Sequence, residues 1–167
     1  MKTLYIMCGP AGSGKTRWVR SNAKPGVSAH ISRDKVRFSM LKEGERYFSR
    51  EDDVYAEFCK QIGDALQCPW VEEVYADATH LTEKARNLLL NTVKYDEDVQ
   101  IVPVVVKPAL KIALEQNAQR TGRECVPEQV ITNMYNSFEH PSLDKRKYSE
   151  IITVERKECN GEDISDK

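Results

Sequence analysis

No run of residues in this 167-residue chain is long and apolar enough for a signal-peptide core or a membrane span. The apolar stretch Leu4 to Cys8 gives way at once to a glycine-rich turn. An excess of one charge is missing too: 25 Lys plus Arg face 26 Asp plus Glu, a formal net charge of −1. That balance excludes a protein that coats nucleic acid along its length, because such binding draws on many uncompensated cations. It leaves room for a small basic pocket that grips one end of a strand. The five cysteines, Cys8, Cys59, Cys68, Cys125 and Cys159, form no C-x-x-C pair, so neither a zinc site nor a disulfide framework is indicated. Reduced thiols, a soluble chain and a cytoplasmic location are the expectation. Repeats, low-complexity segments and interdomain linkers are absent as well. One domain is expected over residues 1–155, with a lid near 108–127 and a polar tail at 156–167.

What is there is a globular composition, 40% apolar and 31% charged, patterned as strands alternating with helices. Thr3 to Cys8 reads as a buried strand and Lys15 to about Asn22 as a helix. Ala29 to Ser32, Val71 to Ala76, Ile101 to Val106 and Ile151 to Val154 are further strand candidates. Pro103 is awkward inside one of them, since proline prefers an edge or a bulge. Val54, Phe58, Ile62 and Leu66 recur at helical spacing, as do Leu81, Ala85, Leu88, Leu89 and Val93. A polar helix is expected from Pro108 to about Arg120. Another starts at Pro127, with Val130, Ile131, Met134, Tyr135 and Phe138 at helical spacing. Such alternation predicts an α/β three-layer sandwich around a mainly parallel sheet of about five strands.

Gly9-Pro10-Ala11-Gly12-Ser13-Gly14-Lys15-Thr16 fits G-x-x-x-x-G-K-[ST] in full. Glycines let the backbone turn tightly, so that successive N–H groups of Gly9, Ala11, Gly12, Ser13 and Gly14 point at phosphate oxygens. The following helix start adds its positive end. Lys15 supplies an ammonium for the β- and γ-phosphates, and the Thr16 hydroxyl is a ligand for Mg²⁺. A surface glycine turn would explain the glycines, but not the apolar strand before them and the helix after. ATP and Mg²⁺ are the implied cofactors. No N-K-x-D element is present, which excludes a GTPase, and the chain is short for a motor. A small kinase with a mobile arginine-bearing segment fits best.

Three further clusters stand where ligands gather in parallel sheets, beyond the carboxyl ends of strands. In Arg33-Asp34-Lys35-Val36-Arg37, Asp34 can accept the proton of an attacking hydroxyl. Arg37, one turn on, can hold Asp34 ionised or bind an acceptor phosphate. The same letters also describe a helix start with an acidic first turn. In Asp77-Ala78-Thr79, Asp77 suits the metal side of the site, while Thr82 suits a helix cap. In Arg120-Thr121-Gly122-Arg123, Arg120 and Arg123 can swing over a triphosphate, or can simply end a helix beside a glycine stop.

Taken in order, G-P-A-G-S-G-K-T, S-R-D-K-V-R, D-A-T-H-L-T and Q-N-A-Q-R-T-G-R-E-C-V-P resemble the 5′-kinase domain of phage-type polynucleotide kinases, from Leu4 to about Pro141. The resemblance implies a P-loop kinase fold with an Arg-bearing helical lid. It makes Asp34 the general base for a polynucleotide 5′-hydroxyl, Arg37 the holder of the neighbouring 3′-phosphate, and Arg33 part of the acceptor path. Arg120 matches the lid arginine, in a lid one residue longer than the family's, which brings Arg123 into consideration. Asp77 matches the third-strand aspartate. The D-x-D-x-[TV] motif of the phosphatase partner domain does not occur, so a kinase module alone is expected. Transfer from ATP to a nucleic-acid 5′ end is the leading expectation. A P-loop kinase acting on a sugar, nucleotide-sugar or antibiotic hydroxyl is the alternative, followed by a nucleotide-binding module that is not a kinase.

Overall fold

The computed structural model describes residues 1–122, 125–143 and 147–155. The chain runs β1 (Thr3–Cys8), α1 (Lys15–Asn22), β2 (Ser28–Ser32), α2 (Arg33–Met40), α3 (Glu51–Gln67) and β3 (Glu73–Asp77). It continues α4 (Glu83–Thr92), β4 (Gln100–Val106), α5 (Leu110–Ala118), α6 (Glu128–Ser137) and β5 (Ile152–Val154). The five strands form one sheet in the order β2-β3-β1-β4-β5, and every pairing is parallel. Strand β1 is central, and the chain places later strands first on one side of it and then on the other. The crevice at that switch, beyond the carboxyl end of β1, is where a ligand fits in open α/β sheets.

Both faces of the sheet are covered, which is why its central strands are apolar on alternate and adjacent positions alike. Leu4, Ile6 and Cys8 pack with Phe58, Ile62 and Leu66 of α3 and with Leu89 of α4. On the opposite face Met7, Tyr75, Val104 and Val106 pack with Val19 of α1. Local signals fix the helix starts. The Ser32 Oγ accepts from Lys35 N at 3.3 Å to open α2, and Thr82 Oγ1 accepts from Ala85 N at 3.1 Å to open α4.

Of the boundaries that differ from the sequence expectation, three bear on the argument. Strand β3 begins at Glu73 rather than Val71, because Val71 N–H is taken by a turn to Cys68 O. Pro127 stands just before α6 instead of inside it, with an extended ψ of 139°. Helix α5 stops at Ala118, so Arg120 lies past its end. Pro103 does sit within β4, and the pairing explains how. Ser149 N–H reaches Ile101 O on the outer side of β4, and β5 begins its ladder only at Val104. Two residues on from Ile101, Pro103 turns its missing donor to that same outer side, where no strand yet runs.

Candidate active site

The turn after β1 is built so that only glycine fits at its entry. A Cβ on Gly9 would stand 2.1 Å from Val106 O, where the end of β4 passes. Gly12 has φ +77° and leaves 2.8 Å between a would-be Cβ and Ala113 O, so the loop lies directly under α5. Gly14, at φ 97°, precedes α1, whose N-terminus carries no side-chain cap and no acidic residue in its first turn. Those uncapped N–H groups suit an anion. The Ala11 N–H is directed at Met134 Sδ, 3.4 Å away on α6. Lys15 Nζ donates to Gly9 O at 2.9 Å, Pro10 O at 2.7 Å and Ser13 Oγ at 3.4 Å. Burial brings its pKa down to about 8, opposed by the charge of Asp77 and assisted by that of Arg120, with Asp34 also within reach. The ammonium thus lies within electrostatic reach of one residue from each of the three other predicted clusters.

At the end of β3, Asp77 is 5% exposed. Its Oδ2 accepts from Thr16 Oγ1 at 2.8 Å and from His30 Nε2 at 2.8 Å. Burial alone would raise this carboxyl, but the His30 bond, the Lys15 charge and the Thr16 bond outweigh it and hold the pKa below the usual value. A hydroxyl beside an ionised carboxylate is a hard-oxygen pair of the kind Mg²⁺ takes alongside phosphates and water. Among the described residues no group of three or more His, Cys, Asp or Glu could form an all-protein metal cage. His30 was not among the residues singled out by sequence. It stands two pairs before Ser32↔Asp77 in the β2–β3 register, which puts it on the same face as Asp77.

Asp34 and Arg37 do meet. Arg37 Nη1 donates to Asp34 Oδ1 at 2.5 Å, and Tyr47 OH donates to the same oxygen at 2.8 Å. Asp34 is 58% exposed, and its Oδ2 has no partner among the described residues. Arg37 is placed differently from a free phosphate clamp. It is buried, and Glu51 takes its Nε at 2.6 Å and its Nη2 at 3.1 Å. Glu51 also receives Arg33 Nη2 at 2.9 Å. Despite partial burial, the bonds and charges of Arg37 and Arg33 keep the Glu51 carboxyl below its usual range. Neither Glu51 nor Tyr47 belongs to a motif: Tyr47 lies within the α2–α3 connection and Glu51 opens α3.

On the lid side, Arg120 follows α5 and stands close enough for Lys15 to feel its charge. The segment carrying it is closed by Asn117, which is 2% exposed. Asn117 Nδ2 donates to Val126 O at 2.5 Å, and Val126 N donates to Asn117 Oδ1 at 2.9 Å. Arg123, the second lid candidate, lies outside the described residues, as does the 156–167 tail. Behind β3, the buried His80 donates through Nδ1 to Met7 O at 2.7 Å. The fully buried Arg86 donates to His80 O at 2.8 Å and Glu139 O at 2.6 Å. That pair anchors the turn through Thr79, whose carbonyl receives Gly9 N–H at 2.8 Å.

A family profile described as AAA domain matches residues 4–141. The chain belongs to the AAA domain family. Its site is the nucleotide-binding P-loop of that family, on a fold of the P-loop kinase kind. Among curated proteins it is similar to the L-seryl-tRNA(Sec) kinase of Methanococcus maripaludis, 27% identical over 162 residues, covering 93% of this chain and 60% of that protein. The chain therefore spans less than two thirds of that relative's length. A fungal RNA kinase structure superposes with a TM-score of 0.67 at 16% identity, covering 96% of this chain and 79% of that one. A gluconokinase from Sinorhizobium meliloti 1021 superposes with 0.58 at 20% identity, covering 91% and 81%. These two structural likenesses show the fold. No described helix is long and apolar enough to cross a membrane.

Proposed function

We propose that this AAA domain chain is an ATP-dependent kinase that transfers the γ-phosphate to the 5′-hydroxyl of a polynucleotide. The observation that carries the reading is that Asp34, on α2, and Arg120, after α5, both lie within electrostatic reach of the Lys15 ammonium. A base on the acceptor side and a cation on the lid side of a phosphate loop are the parts that in-line phosphoryl transfer needs. Asp34 presents its unbonded Oδ2 to solvent and would take the hydroxyl's proton, while Arg37 and Tyr47 fix Oδ1. Lys15 would exchange loop carbonyls for phosphate oxygens. Arg120 would meet the charge that develops on the transferring group, with Arg123 as the second candidate for that role. The residues suited to hold Mg²⁺ are Thr16 and Asp77, and the ion would supply charge neutralisation on the phosphates.

The acceptor class rests on the S-R-D-K-V-R segment and on the relatives named for RNA and tRNA. One observation favours a different acceptor on the same machinery. Because Glu51 already occupies two edges of Arg37, a hydroxyl with no neighbouring phosphate would suit the site as well, and a gluconokinase shares the fold. The deciding experiment is transfer of labelled γ-phosphate from ATP to a short 5′-hydroxyl oligonucleotide with Mg²⁺, beside Asp34→Asn. Labelled oligonucleotide from the parent and none from the variant is the expected result. ATP turnover that never labels the oligonucleotide would overturn the polynucleotide assignment and redirect the search to sugar hydroxyls or the seryl hydroxyl of a charged tRNA.

A further inference from the structure

Aromatic side chains gather beside Asp34, and one of them faces water. Phe38 meets Tyr47 edge-on at 5.8 Å, and Tyr47 meets Phe48 at 4.6 Å with the ring planes 87° apart. The Arg37 guanidinium lies 4.4 Å from the Tyr47 ring centre and 5.4 Å from that of Phe48. Phe48 is nevertheless 67% exposed. A phenylalanine that meets one ring at right angles and has a guanidinium over one of its faces, yet is open over most of its surface, gains little for the fold from being aromatic. Its position gives it another use: Tyr47, its neighbour in both sequence and space, hydrogen-bonds the carboxylate that would receive the acceptor's proton. Phe48 is thus one ring and one hydrogen bond from the Asp34 carboxylate.

The surrounding charge fits the same occupant. Lys35, Lys42 and Arg46 are exposed and form no ion pair among the described residues, whereas Arg33 and Arg37 are matched by Glu51. Exposed cations on the segment that carries an exposed aromatic ring are how proteins hold single-stranded nucleic acid, the cations following the backbone and the ring receiving a base; exposed Glu43, Asp52 and Asp53 share that stretch. We infer that Phe48 is a stacking platform for the first nucleobase of the acceptor, setting the 5′-hydroxyl over Asp34. This rests on the polynucleotide reading and adds a base-recognition site to it. Recognition is by the flat face, so every base is accepted and a residue lacking a base is disfavoured.

The test crosses a protein change with an acceptor change. Parent and Phe48→Ala are each assayed on a 5′-hydroxyl oligonucleotide and on the same strand whose first residue is abasic but keeps its 5′-hydroxyl. The parent's acceptor KM is expected to rise about tenfold on the abasic strand, and Phe48→Ala to show a similar rise on the normal strand. The variant should discriminate little between the two strands, and Phe48→Trp should restore the preference. A parent indifferent to the missing base, or a Phe48→Ala variant that still disfavours the abasic strand as strongly as the parent, would overturn the inference while leaving the kinase assignment intact. Failure of the parent to label either strand is a different result: it removes the polynucleotide reading itself.

Discussion

Thr16 and Asp77, 61 residues apart, share a hydrogen bond of 2.8 Å from the Thr16 hydroxyl to Asp77 Oδ2. The bond joins the phosphate loop to the end of β3 and gives the site its acidic side. Replacing Asp77 by Asn keeps the shape and removes the charge. Affinity for ATP with Mg²⁺ should fall about tenfold or more, while affinity for ATP without the metal should hold or rise, because a negative group facing the phosphates is gone. Nucleotide titrations with and without Mg²⁺ check this, and equal losses in both would show a merely structural role.

Lys15 predicts a pH dependence of nucleotide binding. Burial brings its pKa in the free protein to about 8, below the ordinary lysine value. Below that pH the ammonium is already charged when the triphosphate arrives. Above it, binding must take up a proton, since phosphate oxygens favour the charged form. Affinity should therefore fall by up to about tenfold per pH unit above about pH 8, with no contribution from this group on the acid side. Calorimetry in two buffers of different ionisation enthalpy should detect proton uptake at pH 9, and Lys15→Met should abolish it.

Glu51 is expected to matter more than its distance from any motif suggests. Glu51→Ala would leave the buried Arg37 without its bidentate partner and Arg33 without its carboxylate. Loss of one partner of a largely buried ion pair costs about 3 kcal/mol, readable as a lower denaturant midpoint. Arg37 would then draw on Asp34 for compensation, so transfer should fall about tenfold while nucleotide affinity is retained. An unchanged midpoint would show that Arg37 finds another counter-charge.

Asn117 should act through Arg120. Asn117→Ala removes both hydrogen bonds to the half-buried Val126 backbone, at about 1 kcal/mol each, and frees the segment that carries the arginine. Transfer should drop with little change in the KM for ATP. Arg120→Ala alone should cost a factor of about a thousand in rate. The double variant should be barely worse than Arg120→Ala, because each change spoils the same interaction. Additive losses would separate the two residues.

Much of the candidate site could be read from short windows of sequence, for a local reason. A phosphate loop needs its strand, glycines and helix contiguous, so eight residues from Gly9 to Thr16 carry the whole device. Asp34 follows a strand directly, and Arg37 lies one helical turn on, so their meeting at 2.5 Å follows from helical periodicity. The five parallel strands likewise follow from apolar runs alternating with helical spacing.

Partners brought from distant segments had no such signature. His30 reaches Asp77 only because β2 lies beside β3 in a particular register, and a shift of one residue would turn its ring to the other face. Glu51 reaches Arg33 and Arg37 because α3 packs back against α2 after a connection with no periodic signal. Its two bonds to Arg37 hold the guanidinium beside Asp34. Sequence by itself determined the phosphate loop, the sheet and the likeness to kinases, because those depend on neighbouring residues. Tertiary structure decided which charges were already matched and which aromatic ring was left exposed, because pairing and burial depend on what the rest of the chain brings alongside.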